Sequence, residues 1–296
     1  MRHGTYSIVA RDPTTGELGA AVQSHWFSVG SLCAWARPGV GAVATQSVVE
    51  PAYGPRALDL LERGARAAEA VAALLGDDPL AAMRQLAVVD TRSVAVHTGP
   101  ECIPCAGDAT GPHWSCQANM MTRDTVPAAM SAAFESATGD LADRLLAALE
   151  AAEGEGGDVR GRQSAALLVV PATGEAWTAR VDLRVEDHTE PLHELRRLLG
   201  LQRAYELAGQ ADELMAADRA DEAGALYRRA AELAPESDEL LFWAGLAIAH
   251  TGDLEAGVDA VQRAVAVHAG WATLLDRLPP TFAPAAAEVR RTLGRG

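Results

Sequence analysis

Apolar residues in the first two-thirds of the chain come in short runs divided by turn-forming clusters, a spacing that suits hairpins. Residues 5–10 are β-rich and residues 18–24 are small and apolar, with Asp12-Pro13-Thr14-Thr15-Gly16-Glu17 between them as a turn. A second pair of runs meets at Pro38-Gly39. Strands are therefore predicted over 5–11, 17–24, 32–37 and 40–46, in an antiparallel sheet. The period then lengthens: Ala57, Leu60, Leu61 and Ala65 share one helical face, continued by Ala68, Val71, Ala72 and Leu75. Residues 86–89 and 94–96 form another hairpin, residues 99–112 a Gly/Pro/Cys-rich loop, and helices return at about 126–138 and 141–153. A flexible polar segment over 152–161 precedes a last hairpin, 165–170 with 176–183. Hairpin blocks alternating with helices predict an α+β fold with mainly antiparallel sheets, not a doubly wound parallel sheet.

From about residue 200 the pattern is helical throughout, and it repeats. At a spacing of 34, Ala211, Leu214, Ala223, Tyr227 and Ala230 correspond to Gly245, Ile248, Gly257, Val261 and Ala264. A small–large–small–large–small helix pair at this period resembles the tetratricopeptide repeat, and Pro235 closes the first unit where that family places proline. The second unit has Ala269 there, and its Gly257 is a weak helix former. Two units with a capping helix near 285–293 fall short of the three usually needed for autonomous stability. They are expected to dock on the first domain or on a second protomer of a homodimer. The expected domains are residues 1–198 and 199–296.

Composition narrows the chemistry. A chain of 296 residues, 49% hydrophobic and 22% charged, is long enough for two cores. An excess of 40 acids over 25 bases disfavours nucleic acid and anionic membrane as partners. All 25 bases are arginine. With no lysine there is no Schiff-base lysine, no pyridoxal-phosphate lysine and no phosphate-loop lysine, nor the lysine that assists a proteasome-type threonine. The apolar run at residues 7–10 is too short for a signal peptide, and no stretch approaches the ~18 apolar residues of a membrane helix. Four cysteines are too few for a disulfide scaffold, which points to reduced thiols and a cytoplasmic location.

Several groups are candidates for a site. Gly4-Thr5 heads the first strand; a threonine freed at its amine becomes a nucleophile, with the α-amino group as base to its own hydroxyl. Gln46 and Asn119 lie at strand ends, where amides can act as oxyanion donors. In Arg160-Gly161-Arg162, two guanidinium groups flank a glycine just before a strand, a spacing that suits bidentate grip of a carboxylate or phosphate; pairing with Asp158 is the structural alternative. Asp182, Asp187 and His188 follow the last strand, with capping of the helix near Glu190 as their bland account. Cys102-Ile103-Pro104-Cys105 has zinc or redox spacing but no second pair, and His188 and His193 are off one helical face, so neither a metal nor a cofactor is expected.

The strings Thr5-Tyr6-Ser7-Ile8-Val9-Ala10-Arg11-Asp12-Pro13, Trp35-Ala36-Arg37, Gly39-Val40-Gly41-Ala42-Val43-Ala44-Thr45-Gln46, Pro51-Ala52-Tyr53-Gly54, Cys102-Ile103-Pro104, Arg160-Gly161-Arg162-Gln163-Ser164 and Val181-Asp182-Leu183-Arg184-Val185 closely resemble domain-of-unknown-function family 1028. The resemblance runs from residue 5 to about 200. It implies an αββα sandwich like that of the N-terminal-nucleophile hydrolases, and it supplies no established activity. The chain departs from that pattern at Cys105, where tryptophan is expected, and at Asp108, where histidine is expected.

Two functions lead the expectations, with a third behind them. One is an amide-bond hydrolase in which Thr5 attacks, Asn119 or Gln46 holds the oxyanion, and Arg160, Arg162 and His188 bind a small anionic amide. The other is a non-catalytic scaffold whose helical repeats recruit a peptide or protein partner; residues 199–296 carry 15 acids against 9 arginines, which suits a basic or neutral one. An enzyme using Cys33 or Cys102 as nucleophile is a third.

Overall fold

The structure, a computed structural model, describes residues 2–217 and 219–294. It divides into two compact units, Met1–Arg196 and Arg197–Gly296. The first unit opens with β1 (Arg2–His3), β2 (Thr5–Arg11) and β3 (Leu18–Ser24), then a helical turn α1 (Gly30–Cys33), β4 (Ala34–Arg37) and β5 (Gly41–Val48). Helices α2 (Tyr53–Glu62) and α3 (Ala67–Leu75) lead to β6 (Arg84–Asp90), β7 (Val94–Thr98), β8 (Gly107–Thr110) and β9 (Trp114–Asn119). Then come α4 (Val126–Ser136), α5 (Leu141–Gly154), β10 (Ser164–Val170) and β11 (Val181–Val185).

These strands make two sheets, and every pairing is antiparallel. The first sheet has the order β1-β5-β6-β7 with β4 also beside β5; the second has the order β11-β10-β3-β2-β9-β8. Turn chemistry fixes the register of the β2–β3 hairpin. The Asp12 carboxylate accepts from the amides of Thr14 (2.7 Å) and Thr15 (3.1 Å), which sets Arg11 opposite Leu18 and Thr5 opposite Ser24.

Strand alternation then sorts the side chains. Val9, Leu18, Ala20 and Val22 of the second sheet share a cluster with Ala42, Ala44, Ala87 and Val89 of the first. Val43, Leu86 and Val88 turn the other way and pack with Leu58 and Leu61 of α2 and Val71 and Leu74 of α3. Helices α4 and α5 pack on the second sheet, where Phe134 lies 5.9 Å from Trp114.

Four details of the first unit differ from expectation. The strand expected over 32–37 begins only at Ala34, because Gly30–Cys33 forms the helical turn α1. The loop expected over 99–112 contains β8, which is short and mixed in polarity and so carries no alternation signal. The last strand begins at Val181, after a turn-rich stretch, and Asp182 lies inside it instead of following it. β1 is only two residues long and pairs with Ser47 and Val48, too little for any pattern to reveal.

The second unit is helical. The division falls within α6 (Pro191–Ala216), which is followed by α7 (Ala220–Leu233), α8 (Asp238–His250), α9 (Leu254–Val267), α10 (Gly270–Arg277) and α11 (Ala286–Thr292). Ser237 and Asp253 cap α8 and α9 through their side chains. Leu241, Phe242, Leu246, Val261, Leu275 and Val289 form one cluster, with Phe242 stacked 4.8 Å from Trp271. Gly257 is explained by close approach: a Cβ there would lie 2.5 Å from the Gly245 carbonyl oxygen, so α8 and α9 meet backbone to backbone. α10 was not expected from the sequence. Among the described residues no helix is long and apolar enough to cross a membrane.

Candidate functional site

The inward face of the second sheet changes character along its length. Val9 is apolar, but Thr5 and Ser7 on the same face of β2 are polar, as are Ser24 of β3 and Ser115, Gln117 and Asn119 of β9. Gln46 of β5 and Gln85 of β6 meet them from the first sheet, and all are buried. Ser7 donates to Gln46 Oε1 (2.6 Å) and Gln117 Nε2 donates to Ser7 Oγ (2.6 Å). Gln46 Nε2 (2.6 Å) and Asn119 Nδ2 (3.1 Å) both donate to Gln85 Oε1. Gln46 and Asn119 also donate to the main-chain carbonyl of Thr5, at 3.2 and 3.4 Å.

The structure thus brings Thr5, Gln46 and Asn119 together, with both amides turned to Thr5's own backbone. The polar cluster is not fully satisfied. Asn119 Oδ1 is buried without a partner among the described residues, a deficit of about 1–3 kcal/mol. The residue after each amide is left-handed: Ser47 has φ 69° and Met120 has φ 59°. Strain of this kind costs about 1–3 kcal/mol per residue and concentrates at functional sites.

Thr5 is 0% exposed and paired on both sides, to Ser24 and to Asn119. Its Oγ1 donates to Ser24 Oγ (3.1 Å), and Ser24 Oγ donates to the carbonyl of Gly4 (2.5 Å). Arg160 Nη2 donates to the same oxygen at 2.9 Å. The peptide bond ahead of Thr5 therefore has one neutral and one cationic donor on its oxygen, the arrangement that stabilises a developing oxyanion.

Asp158 holds Arg160 in place, accepting from Nε at 3.1 Å and Nη2 at 2.7 Å. The Asp158 side chain is 0% exposed and also accepts from the main-chain amides of Arg160 (2.9 Å) and His25 (3.2 Å). Ser24 was not singled out in the sequence, although the hairpin register alone places it opposite Thr5. Asp158 was singled out only as an ion-pair partner.

Arg162 goes elsewhere. Tyr6, next along β2, points to the opposite face from Thr5, and its hydroxyl donates to Glu153 at 2.6 Å. Burial, and then the Glu153 charge, hold that hydroxyl well above its usual range. Arg162 Nε lies 3.4 Å from the same Glu153, and Nη1 pairs with Glu190. Arg162, His25 and His188 line an open cavity of about 510 Å³, where His188 Nδ1 accepts from the Glu190 amide (2.9 Å). The two arginines part at Gly161, whose φ of +99° reverses the chain between them. They do not converge on one anion, and each guanidinium already has a carboxylate partner.

Cys33 and Cys102 are buried. Burial pushes Cys33 up to about 12 and raises Cys102, whose Sγ contacts the Arg84 carbonyl at 3.4 Å. Neither is poised as a thiolate nucleophile. Among the described residues no three His, Cys, Asp or Glu side chains are grouped as a metal-ligand set.

These features define an α+β protein of two antiparallel sheets with a polar cluster closed over the head of its central strand. The profile of the family of unknown function DUF1028 matches residues 5–195, and the chain belongs to that family. A crystal structure of a Silicibacter pomeroyi protein assigned to DUF1028 is similar at 33% identity and a TM-score of 0.61, over 66% of this chain and 84% of that one. No curated protein matches.

Proposed function

We infer that the chain is an amide-bond hydrolase of the N-terminal-nucleophile type, with Thr5 as nucleophile once the Gly4–Thr5 bond is cut. The observation that carries this reading is the Gly4 carbonyl, held by Ser24 Oγ and Arg160 Nη2 beside the Thr5 hydroxyl. Thr5 Oγ1 attacks the Gly4 carbonyl carbon, and the charge developing on oxygen meets both donors. Ser24 accepts from Thr5 and donates to Gly4, so the hydroxyl proton has a route to that oxygen. It passes to the Thr5 nitrogen as the C–N bond breaks. Water then cleaves the ester, releasing residues 1–4 as a carboxylate and restoring the hydroxyl.

The new α-amine, with an ordinary pKa of roughly 8, takes the Oγ1 proton for attack on a substrate amide. No lysine is needed. Arg160 acts on the substrate's carbonyl oxygen, while Gln46 and Asn119 position Thr5 through its own carbonyl. The two sheets, with α2 and α3 on one and α4 and α5 on the other, fit the αββα sandwich of that superfamily. The second unit reads as a pair of tetratricopeptide-like repeats forming an interaction module. A cavity of about 630 Å³ there is lined by Tyr205, Trp243 and Phe282 with Asp212 and Glu239, chemistry suited to a neutral or basic peptide.

The intact mass of the purified protein tests the hydrolase: the chain should begin at Thr5, and Thr5→Ala should keep residues 1–4. A non-catalytic binding protein is the second reading, favoured by the complete burial of Thr5 in the uncut chain. A wild-type mass that retains residues 2–4, with no amide hydrolysed, supports it and overturns the first.

A further inference from the structure

The uncut chain holds a substrate in its own site, because Gly4 occupies the acyl position of the bond to be broken. What surrounds Gly4 therefore reports on the acyl group the site accepts. An L-Cβ on Gly4 would lie 2.7 and 2.8 Å from the two carboxylate oxygens of Asp158 and 2.9 Å from its Cγ, closer than real Cβ atoms come. Asp158 has no room to yield. Its side chain is 0% exposed, Oδ1 accepts from the main chain and Nε of Arg160, and Oδ2 accepts from Arg160 Nη2 and the His25 amide. Moving it would also move Arg160, whose Nη2 holds the Gly4 carbonyl oxygen at 2.9 Å. The same ion pair sets where the carbonyl oxygen sits and how much space lies beside the neighbouring carbon.

We propose that this site takes amides whose acyl carbon next to the carbonyl carries no L side chain, a glycyl or acetyl group, and that Asp158 is the specificity-determining residue. The proposal rests on the hydrolase reading. Alanine at that position meets a fixed carboxylate at the moment Arg160 must engage the carbonyl, so the penalty falls on reaction as well as on binding.

Two measurements test it. Gly4→Ala should release residues 1–4 at least tenfold more slowly than wild type, followed by intact mass over time after synthesis. Wild-type enzyme beginning at Thr5 should hydrolyse N-acetylglycyl 4-nitroanilide with kcat/KM at least tenfold above N-acetyl-L-alanyl 4-nitroanilide, which decides the matter should Gly4→Ala fail to fold. Self-cleavage of Gly4→Ala at the wild-type rate, or equal turnover of the two anilides, overturns the proposal and leaves the hydrolase standing. A wild-type chain that keeps residues 2–4 and hydrolyses neither anilide removes the hydrolase, and the proposal with it.

Discussion

The two ends of the space between the sheets are built from the same strands on opposite principles. Toward Leu18 and Val89 the filling is small and apolar; toward Thr5 and Asn119 it is hydroxyls and amides. β2 alone shows the change, since Thr5, Ser7 and Val9 point the same way. An apolar filling at both ends would be at least as stable, because buried polar pairs contribute little net and an unpartnered acceptor is destabilising. The polar end nonetheless carries such an acceptor on Asn119 and two left-handed residues directly beside its amides. On the hydrolase reading, local rules broken here belong to the site. One end supplies stability, and the other uses some of it.

Substitutions should separate the ends. The largest effect is expected from Thr5→Ala: self-cleavage and amide hydrolysis fall by about 10⁴-fold or more, while the thermal midpoint stays within a few degrees, since one hydroxyl contact is lost. Ser24→Ala removes one of two donors on the Gly4 carbonyl and should slow self-cleavage by about 10²–10³. Unchanged release of residues 1–4 in that variant would falsify the oxyanion role.

At the apolar end, Leu18→Ala should cost about 2–5 kcal/mol in denaturant unfolding, because Leu18 is fully buried. The folded fraction should still cleave at the wild-type rate; coupled losses would show that the two ends are one unit.

The smallest effect lies outside both ends. Asp78 is held at about 2, chiefly by its hydrogen bond from Arg84. A carboxyl lowered by folding contributes stability that is present above its unfolded value, near ~4, and is lost as pH falls toward 2. Asp78→Asn should flatten the stability curve across that acid window and leave its slope above about pH 5 unchanged; parallel curves for the two proteins would rule the pair out.

Much of this frame was legible in the sequence, for identifiable reasons. The hairpins were marked by their turns, with Asp12 fixing one register, and the helices by their apolar faces. β1 and β8 escaped because two and four residues carry no period. The site was legible by type but not by partner. Thr5, Gln46 and Asn119 do meet, yet the amides face the Thr5 carbonyl, and the donors on Gly4 are Ser24 and Arg160. Arg160 and Arg162 look equivalent along the chain, and only the backbone turn at Gly161 separates them. His188 follows Arg162, because its position depends on where β11 ends.

Gly4 is the one residue between β1, at the edge of the first sheet, and β2, in the middle of the second. Its peptide is a stitch drawn across the mouth of the polar space. β2 is fastened along both sides by β3 and β9, and β1 pairs with β5 over two residues. Once the stitch is cut, the short piece is no longer tied to β2, and when it leaves, the β5 edge at Ser47 and Val48 loses its β1 partner. On the hydrolase reading the molecule then carries its own seal, broken once and never remade. Unlike a lid that opens and closes with each ligand, this one is a fuse.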